Sequence, residues 1–352
     1  MDKLKIGIVG AGAVGGVICA MLAEKGYDVE VAKRYNSDIM LDDYTGLEIV
    51  GAFGNRNTLV KAVNGVGGFT SKKDVMFVLT QAYDAPEVAK QCMGWLSDRG
   101  ILISCQNVMN VEEMLKVVGS ERLFALIINW SAIRHTKAKM EVTKPGNMII
   151  GNFGDKAKGY LEVMQRMLSS IAPTEISQNI IGDIWSRTII NSCISSSGAL
   201  TGLNLGKTMM SPGINKIFKN IIFECMGLAN MLNVNVKNYD ALDYYRFTES
   251  GFGAWRYRNM ILRRLRRQNG HFVSSCQRAI ENNQKSEIDY LNGYFVKLAA
   301  KQNISVPTNL RVYDMVKEVE SGVRYMTLEN LIDPYLKHPK KYLKYLKTKK
   351  EV

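Results

Sequence analysis

The apolar positions of the chain change their period once. In the first half they form short continuous runs rich in β-branched residues, each closed by glycine or polar residues, as in strands buried on both faces. Leu4 to Val9, the stretch from Asp28, Asp74 to Thr80, and Gly100 to Cys105 read this way, with helices expected up to about Lys25 and from about Ala85. RLFALII, KMEVT and MIIGNF give further strands, a helix follows from Asp155, and a last strand lies near Thr174. Such alternation predicts a parallel sheet flanked by helices. Beyond about Asn179 the spacing becomes helical, over Ile181 to Cys193, Ile214 to Leu232, Glu287 to Lys301 and Asn309 to Val319. The expected fold is α/β: an N-terminal Rossmann-type doubly wound parallel sheet over residues 1–178, an all-helical C-terminal domain over 179–335, and a basic tail over 336–352.

Composition narrows the function classes. With 352 residues, 46% of them hydrophobic, the chain can bury two cores. Its formal charge of +13 gathers in Arg256 to Arg267 and Lys337 to Lys350, and neither segment carries a nucleic-acid motif. Solvated basic faces are the expectation, with no nucleic-acid partner. Ile6 to Ala23 is uncharged and long enough to imitate a membrane helix, but Gly7, Gly10, Gly12, Gly15 and Gly16 crowd it at turn-like spacing. No membrane partner is expected. Six cysteines lie singly, without a Cys-x-x-Cys pair, as reduced thiols of a cytoplasmic protein would. The three histidines share no ligand spacing, so no metal is expected.

The glycines suit another purpose. Gly10, Gly12 and Gly15 form G-x-G-x-x-G between the first strand and the first helix, which opens with Ala13 and Val14. The first glycine allows the tight turn, the second admits a pyrophosphate, and the third lets helix approach strand, while helix N–H groups face the phosphate charge. An NAD site expects an acid at the end of the second strand; here Lys33 and Arg34 stand there, cations suited to a 2′-phosphate. NADP is therefore the expected cofactor. Gln81 and Asn107 follow later strands, where ligands of such sheets bind.

In the helical half, Arg187 and Asn191 stand four apart and share one helix face. Ser286 and Asp289 could form a capping box that gives Glu287 a first-turn position. Taken alone, each residue also has a structural reading: Arg187 as an ion-pair partner of Asp183 or Glu287, Glu287 as an ordinary first-turn acid, Ser275 as a helix cap.

The ordered set GAGAVG, QN after a later strand, WSRTIIN, the serine pair Ser274 and Ser275, and SEIDYLNG resembles the ketopantoate reductase family (2-dehydropantoate 2-reductases) over nearly the whole chain. The resemblance implies an NADPH-dependent oxidoreductase that reduces a small 2-oxo acid, ketopantoate, to pantoate, a precursor of pantothenate, with a homodimer as an open option. It also implies that Asn107 lies near nicotinamide and substrate, that Asn191 and Ser275 hold substrate, and that Glu287 is the site acid. Arg187 falls where the family has its catalytic lysine. Gln81 replaces a second lysine, Val108 a glycine, and Ser195 to Leu200 an asparagine-proline-leucine-threonine stretch. These departures leave two alternatives: a reductase of another ketone or imine, and a catalytically silent NADP-binding sensor or scaffold.

Overall fold

The computed structural model describes residues 4–33, 44–155 and 158–350. The chain divides into two compact units, Met1–Ile180 and Ile181–Val352. In chain order the first unit runs β1 (Lys5–Val9), α1 (Ala13–Glu24), β2 (Asp28–Lys33), β3 (Tyr44–Gly51), β4 (Arg56–Asn64), β5 (Lys73–Val78), α2 (Ala85–Met93), β6 (Leu96–Ser104), α3 (Val111–Val118), β7 (Leu123–Ile128), β8 (Ser131–Arg134), β9 (Lys139–Lys144), β10 (Met148–Asn152), α4 (Lys158–Ser169) and β11 (Thr174–Ile176).

All of these strands join one sheet, in the order β11-β10-β7-β6-β5-β1-β2-β4-β3-β9-β8. The centre, β7 through β4, is parallel, and in register Ile8 lies between Val31 and Phe77. Helices cover both faces. Val17, Ile18 and Leu22 of α1 and Met164 and Leu168 of α4 pack on Ile6, Ile8, Phe77 and Phe124, while Ala89 and Cys92 of α2 and Met114 of α3 pack on Met76, Val78 and Leu102. Burial on both faces explains the unbroken apolar runs of the central strands. The margins are mixed, because β3, β8 and β10 each run antiparallel to a neighbour.

Beneath β2 lies a buried ion pair. Glu30 Oε2 meets Lys73 Nζ at 2.7 Å, and Glu30 Oε1 takes Lys61 Nζ at 3.0 Å. The backbone N–H of Thr70 completes the shell at 3.0 Å.

The second unit is helical: α5 (Ile180–Thr201), α6 (Leu205–Thr208), α7 (Ile214–Met231), α8 (Tyr244–Thr248), α9 (Phe252–Asn269), α10 (Ser275–Glu281), α11 (Asn292–Lys301), α12 (Pro307–Glu320), α13 (Pro334–Lys337) and α14 (Pro339–Lys350). Among the described residues no helix is long and apolar enough to cross a membrane. Of the basic tail, α14 is helical, with Tyr342 buried and its hydroxyl 2.6 Å from Asp314 Oδ2.

One helical expectation needs correction. Glu287 to Lys301 is a 3₁₀ turn at Ile288–Tyr290 followed, after Leu291, by α11. The capping box does not form. Ser286 N–H donates to Glu320 Oε1 at 2.9 Å instead of to Asp289, Ser286 Oγ accepts from Ile288 N–H at 3.3 Å, and Asp289 Oδ1 accepts from Tyr313 Oη at 2.8 Å. Glu287 precedes the short turn instead of entering a long helix.

Candidate active site

The turn after β1 has the stereochemistry a dinucleotide requires. Gly10 has φ +109°, and a Cβ there would stand 2.6 Å from the carbonyl carbon of Leu79. A Cβ at Gly15 would lie 2.0 Å from Gly10 O, so only glycine lets α1 start this close to the strand. Around Gly12 there is open space, with no atom within 4 Å of a Cβ. Gly12 caps α1 without a side chain, and the first turn holds no acid. The N–H groups of Ala13, Val14 and Gly15 therefore remain to be met by an anion, and the helix dipole favours one.

Lys33, Gln81 and Asn107 stand at the carboxyl ends of β2, β5 and β6, beside the point where the strand order reverses between β1 and β5. Lys33 ends β2. Arg34 lies outside the described residues. Gln81 follows β5 and is exposed, its carbonyl accepting the Asp84 and Ala85 N–H groups at 3.1 Å as α2 begins. Asn107 follows β6, in a loop fixed by its neighbour: Gln106 Nε2 donates to Val78 O at 3.0 Å and Thr80 O at 3.1 Å. Val108 is buried. One cation escaped the sequence reading. Arg134, at the end of β8, directs Nη1 to Ala11 O at 3.4 Å, inside the glycine turn. Nothing local in the sequence signals this, since 123 residues separate the two.

In the second unit α5 carries Arg187, Asn191 and Ser195 at four-residue spacing. Trp185 locks the start of the helix edge-on against Phe295 of α11, with ring centroids 5.4 Å apart. Arg187 is half-buried. Its Nη1 donates to Tyr239 Oη at 2.7 Å, its guanidinium lies over that ring at 5.2 Å, and its buried Nε makes no hydrogen bond among the described residues. No carboxylate pairs with it there, so the ion-pair reading is replaced by a tyrosine contact. A buried donor without an acceptor is costly, by roughly 1–3 kcal/mol, and an anionic ligand would relieve it.

Two turns along the same helix, Ser195 O accepts from Ser274 Oγ at 3.1 Å. Ser274 also caps α10, its Oγ accepting Gln277 N–H at 3.1 Å. The cap is thus Ser274, which frees the exposed Ser275 hydroxyl at the first position of α10. Cys276 faces Ser286 and Glu287. Through these contacts the structure draws the Ser275 and Glu287 segments together and ties α10 to the Arg187–Asn191 helix. Burial pushes the Cys276 thiol up to about 12, and Cys19 and Cys92 likewise, so these cysteines stay protonated and are not nucleophiles.

Known proteins share this organisation. Residues 6–155 match the family model described as ketopantoate reductase PanE/ApbA, and residues 179–320 match that of its C-terminal region. The chain belongs to the ketopantoate reductase family. As a member it is an oxidoreductase of the 2-dehydropantoate 2-reductase type. The 2-dehydropantoate 2-reductase of Pyrococcus horikoshii is 24% identical over 321 residues, spanning 90% of this chain and 98% of that protein. A crystal structure of a PanE/ApbA family ketopantoate reductase from Ralstonia eutropha superimposes with a TM-score of 0.75 at 20% identity, covering 92% of this chain and all of that one. D-mandelate dehydrogenase, solved with NADH and anilino(oxo)acetate, gives 0.77 at 17% identity, covering 91% and 99%. At such identities the structural likeness is one of fold, and the sheet unit followed by the helical unit is the fold they share.

Proposed function

We propose that the chain reduces a 2-oxo acid to a 2-hydroxy acid with NADPH, ketopantoate to pantoate being the reaction its family implies. The observation that carries the reading is the glycine turn, whose three glycines have the backbone, the open space and the close approach that a pyrophosphate site needs. When bound, the reduced nicotinamide supplies a hydride to the carbonyl carbon. Gly10, Gly12 and Gly15, with the N–H groups of Ala13 and Val14, would hold the pyrophosphate. Lys33, at the end of a β2 that carries no terminal acid, supports NADPH over NADH. Asn107 is assigned to the nicotinamide end, and Gln81 lines the turn after β5.

The substrate's carboxylate and carbonyl fall to Arg187, Asn191 and Ser275, with Glu287 as the acid beside them. A guanidinium stabilises an alkoxide as it forms but stays charged throughout and so cannot give up a proton. A reductase of the same family acting on a different ketone is the second reading, and the observation favouring it is Arg187 itself, bound to Tyr239 where the family pattern has a lysine. The buried thiols suit a reducing cytoplasm. The deciding experiment follows NADPH absorbance with a panel of branched, aromatic and acidic 2-oxo acids. Turnover of ketopantoate supports the first reading, turnover of another ketone the second, and tight NADPH binding with no turnover would leave only a silent coenzyme-binding protein.

A further inference from the structure

A permanently charged residue at the lysine position cannot itself give up the proton, and the second unit offers a hydroxyl bonded to it that can. We infer that Tyr239 Oη is the acid that protonates the substrate's carbonyl oxygen, with Arg187 holding the phenolate that results; the assignment rests on the reductase reading above. The hydrogen bond has the necessary direction. Arg187 Nη1 donates and Tyr239 Oη accepts, at 2.7 Å, so the hydroxyl's own hydrogen is left for another acceptor. A phenol is a stronger acid than a secondary alcohol, so proton transfer to the developing alkoxide is downhill.

The ring is held as a donor should be. Lys237 N–H bonds Gly182 O at 3.2 Å, tying the loop to the start of the helix that bears Arg187. Tyr239 and Leu242 exchange backbone hydrogen bonds at 3.0 and 2.9 Å around a tight turn, in which Asp240 takes φ +51°. Arg264 of α9 clamps that aspartate with two bonds of 3.2 Å. Tyr257 Oη accepts Asp243 N–H at 2.7 Å and donates to Ala241 O at 2.8 Å. A residue in left-handed backbone costs of order 1 kcal/mol or more, and it persists where its surroundings over-determine it. The charged and titratable groups around Tyr239 are Arg187 from α5, Lys237 and Asp240 beside it, Arg264 from α9 and Tyr244 from α8.

The step balances. The carbonyl carbon takes the hydride, its π pair becomes an oxygen lone pair, and Tyr239 Oη gives that oxygen a proton. The phenolate then recovers one proton from solvent, so ketone, reduced coenzyme and one proton become alcohol and oxidised coenzyme.

The test uses the full chain as wild type, as Tyr239→Phe, and with 3-fluorotyrosine at position 239. NADPH binding, read by fluorescence, first establishes a coenzyme-competent fold independently of turnover. Tyr239→Phe is expected to bind NADPH normally, to hold substrate KM within about threefold, and to lose about 10²–10³ in kcat. The more acidic fluorotyrosine is expected to move the alkaline limb of the kcat profile to lower pH. Wild-type-like kcat in Tyr239→Phe, or an unmoved alkaline limb with fluorotyrosine, overturns the assignment and leaves the reductase reading standing. A wild-type chain that binds NADPH and reduces no ketone overturns both.

Discussion

Lys73 Nζ lies 2.7 Å from Glu30 Oε2, with the two side chains only 0% and 2% exposed. Burial alone would raise the carboxyl's pKa, but hydrogen bonds from Lys73, Thr70 and Lys61 outweigh it and hold Glu30 at about 2 against an ordinary 4.5. A depressed carboxylate adds stability that is complete above its unfolded pKa and drains away as pH falls toward the folded one. Acid unfolding should therefore steepen between 4.5 and about 2. Chemical denaturation across that range should show Glu30→Gln with a flatter pH dependence and lower stability at neutral pH. Lys73→Met, which strands a buried charge, should cost about 3–5 kcal/mol.

The glycine turn separates folding from binding. Gly10→Ala imposes a side chain on φ +109° against the Leu79 carbonyl, and should lower stability by about 2 kcal/mol or more. Gly12→Ala meets nothing within 4 Å, so melting should be unchanged within about 0.5 kcal/mol. Its NADPH affinity should nonetheless fall about tenfold or more, because the methyl fills the space the pyrophosphate needs. Calorimetry for the first effect and fluorescence titration for the second would check the pair.

Two cations should have distinguishable effects. Lys33→Ala is expected to weaken NADPH by about tenfold and NADH hardly at all, since it removes a charge meant for the 2′-phosphate. Arg134→Ala, acting at the turn carbonyl of Ala11, should weaken both coenzymes equally. Titrations at two salt concentrations would compare them, and the Lys33 effect should shrink at high salt.

Arg187→Ala should lower kcat/KM by about 10²-fold through lost stabilisation of the developing oxyanion, with NADPH affinity unaltered. Arg187→Lys should keep part of that stabilisation and change the ranking of 2-oxo acids, which a substrate panel would read. An unaltered ranking would place residue 187 outside the chemistry.

The buried strands and the glycine turn were readable because their constraints are local: a period of two or a continuous run, and three glycines at fixed spacing between a strand and a helix. The hairpin of β3 and β4 was not. Its positions alternate only weakly between buried and exposed, and Leu59 is left 71% exposed, so the apolar pattern carries little signal. α9 escaped because its outward face mixes Phe252, Trp255 and Met260 with arginines. At the site, Arg187, Asn191, Ser275 and Glu287 could be singled out from spacing and resemblance. Tyr239 and Arg134 could not, since each meets its partner across 52 and 123 residues and neither belongs to a local motif.

The pairing of β3 with β9 also bears on how the protein is made. It joins Glu48 to Lys139, with an ion pair of 2.7 Å between the two side chains. A nascent chain that has emerged only as far as Ile128 already holds the glycine turn, Lys33, Gln81 and Asn107, yet leaves one margin of β3 bare. Unpaired strand margins recruit other chains. Ribosomal delivery of the segment through Lys144 is thus the moment at which that margin is sealed, and a truncation placed before it should yield aggregates where a shorter coenzyme-binding module was intended.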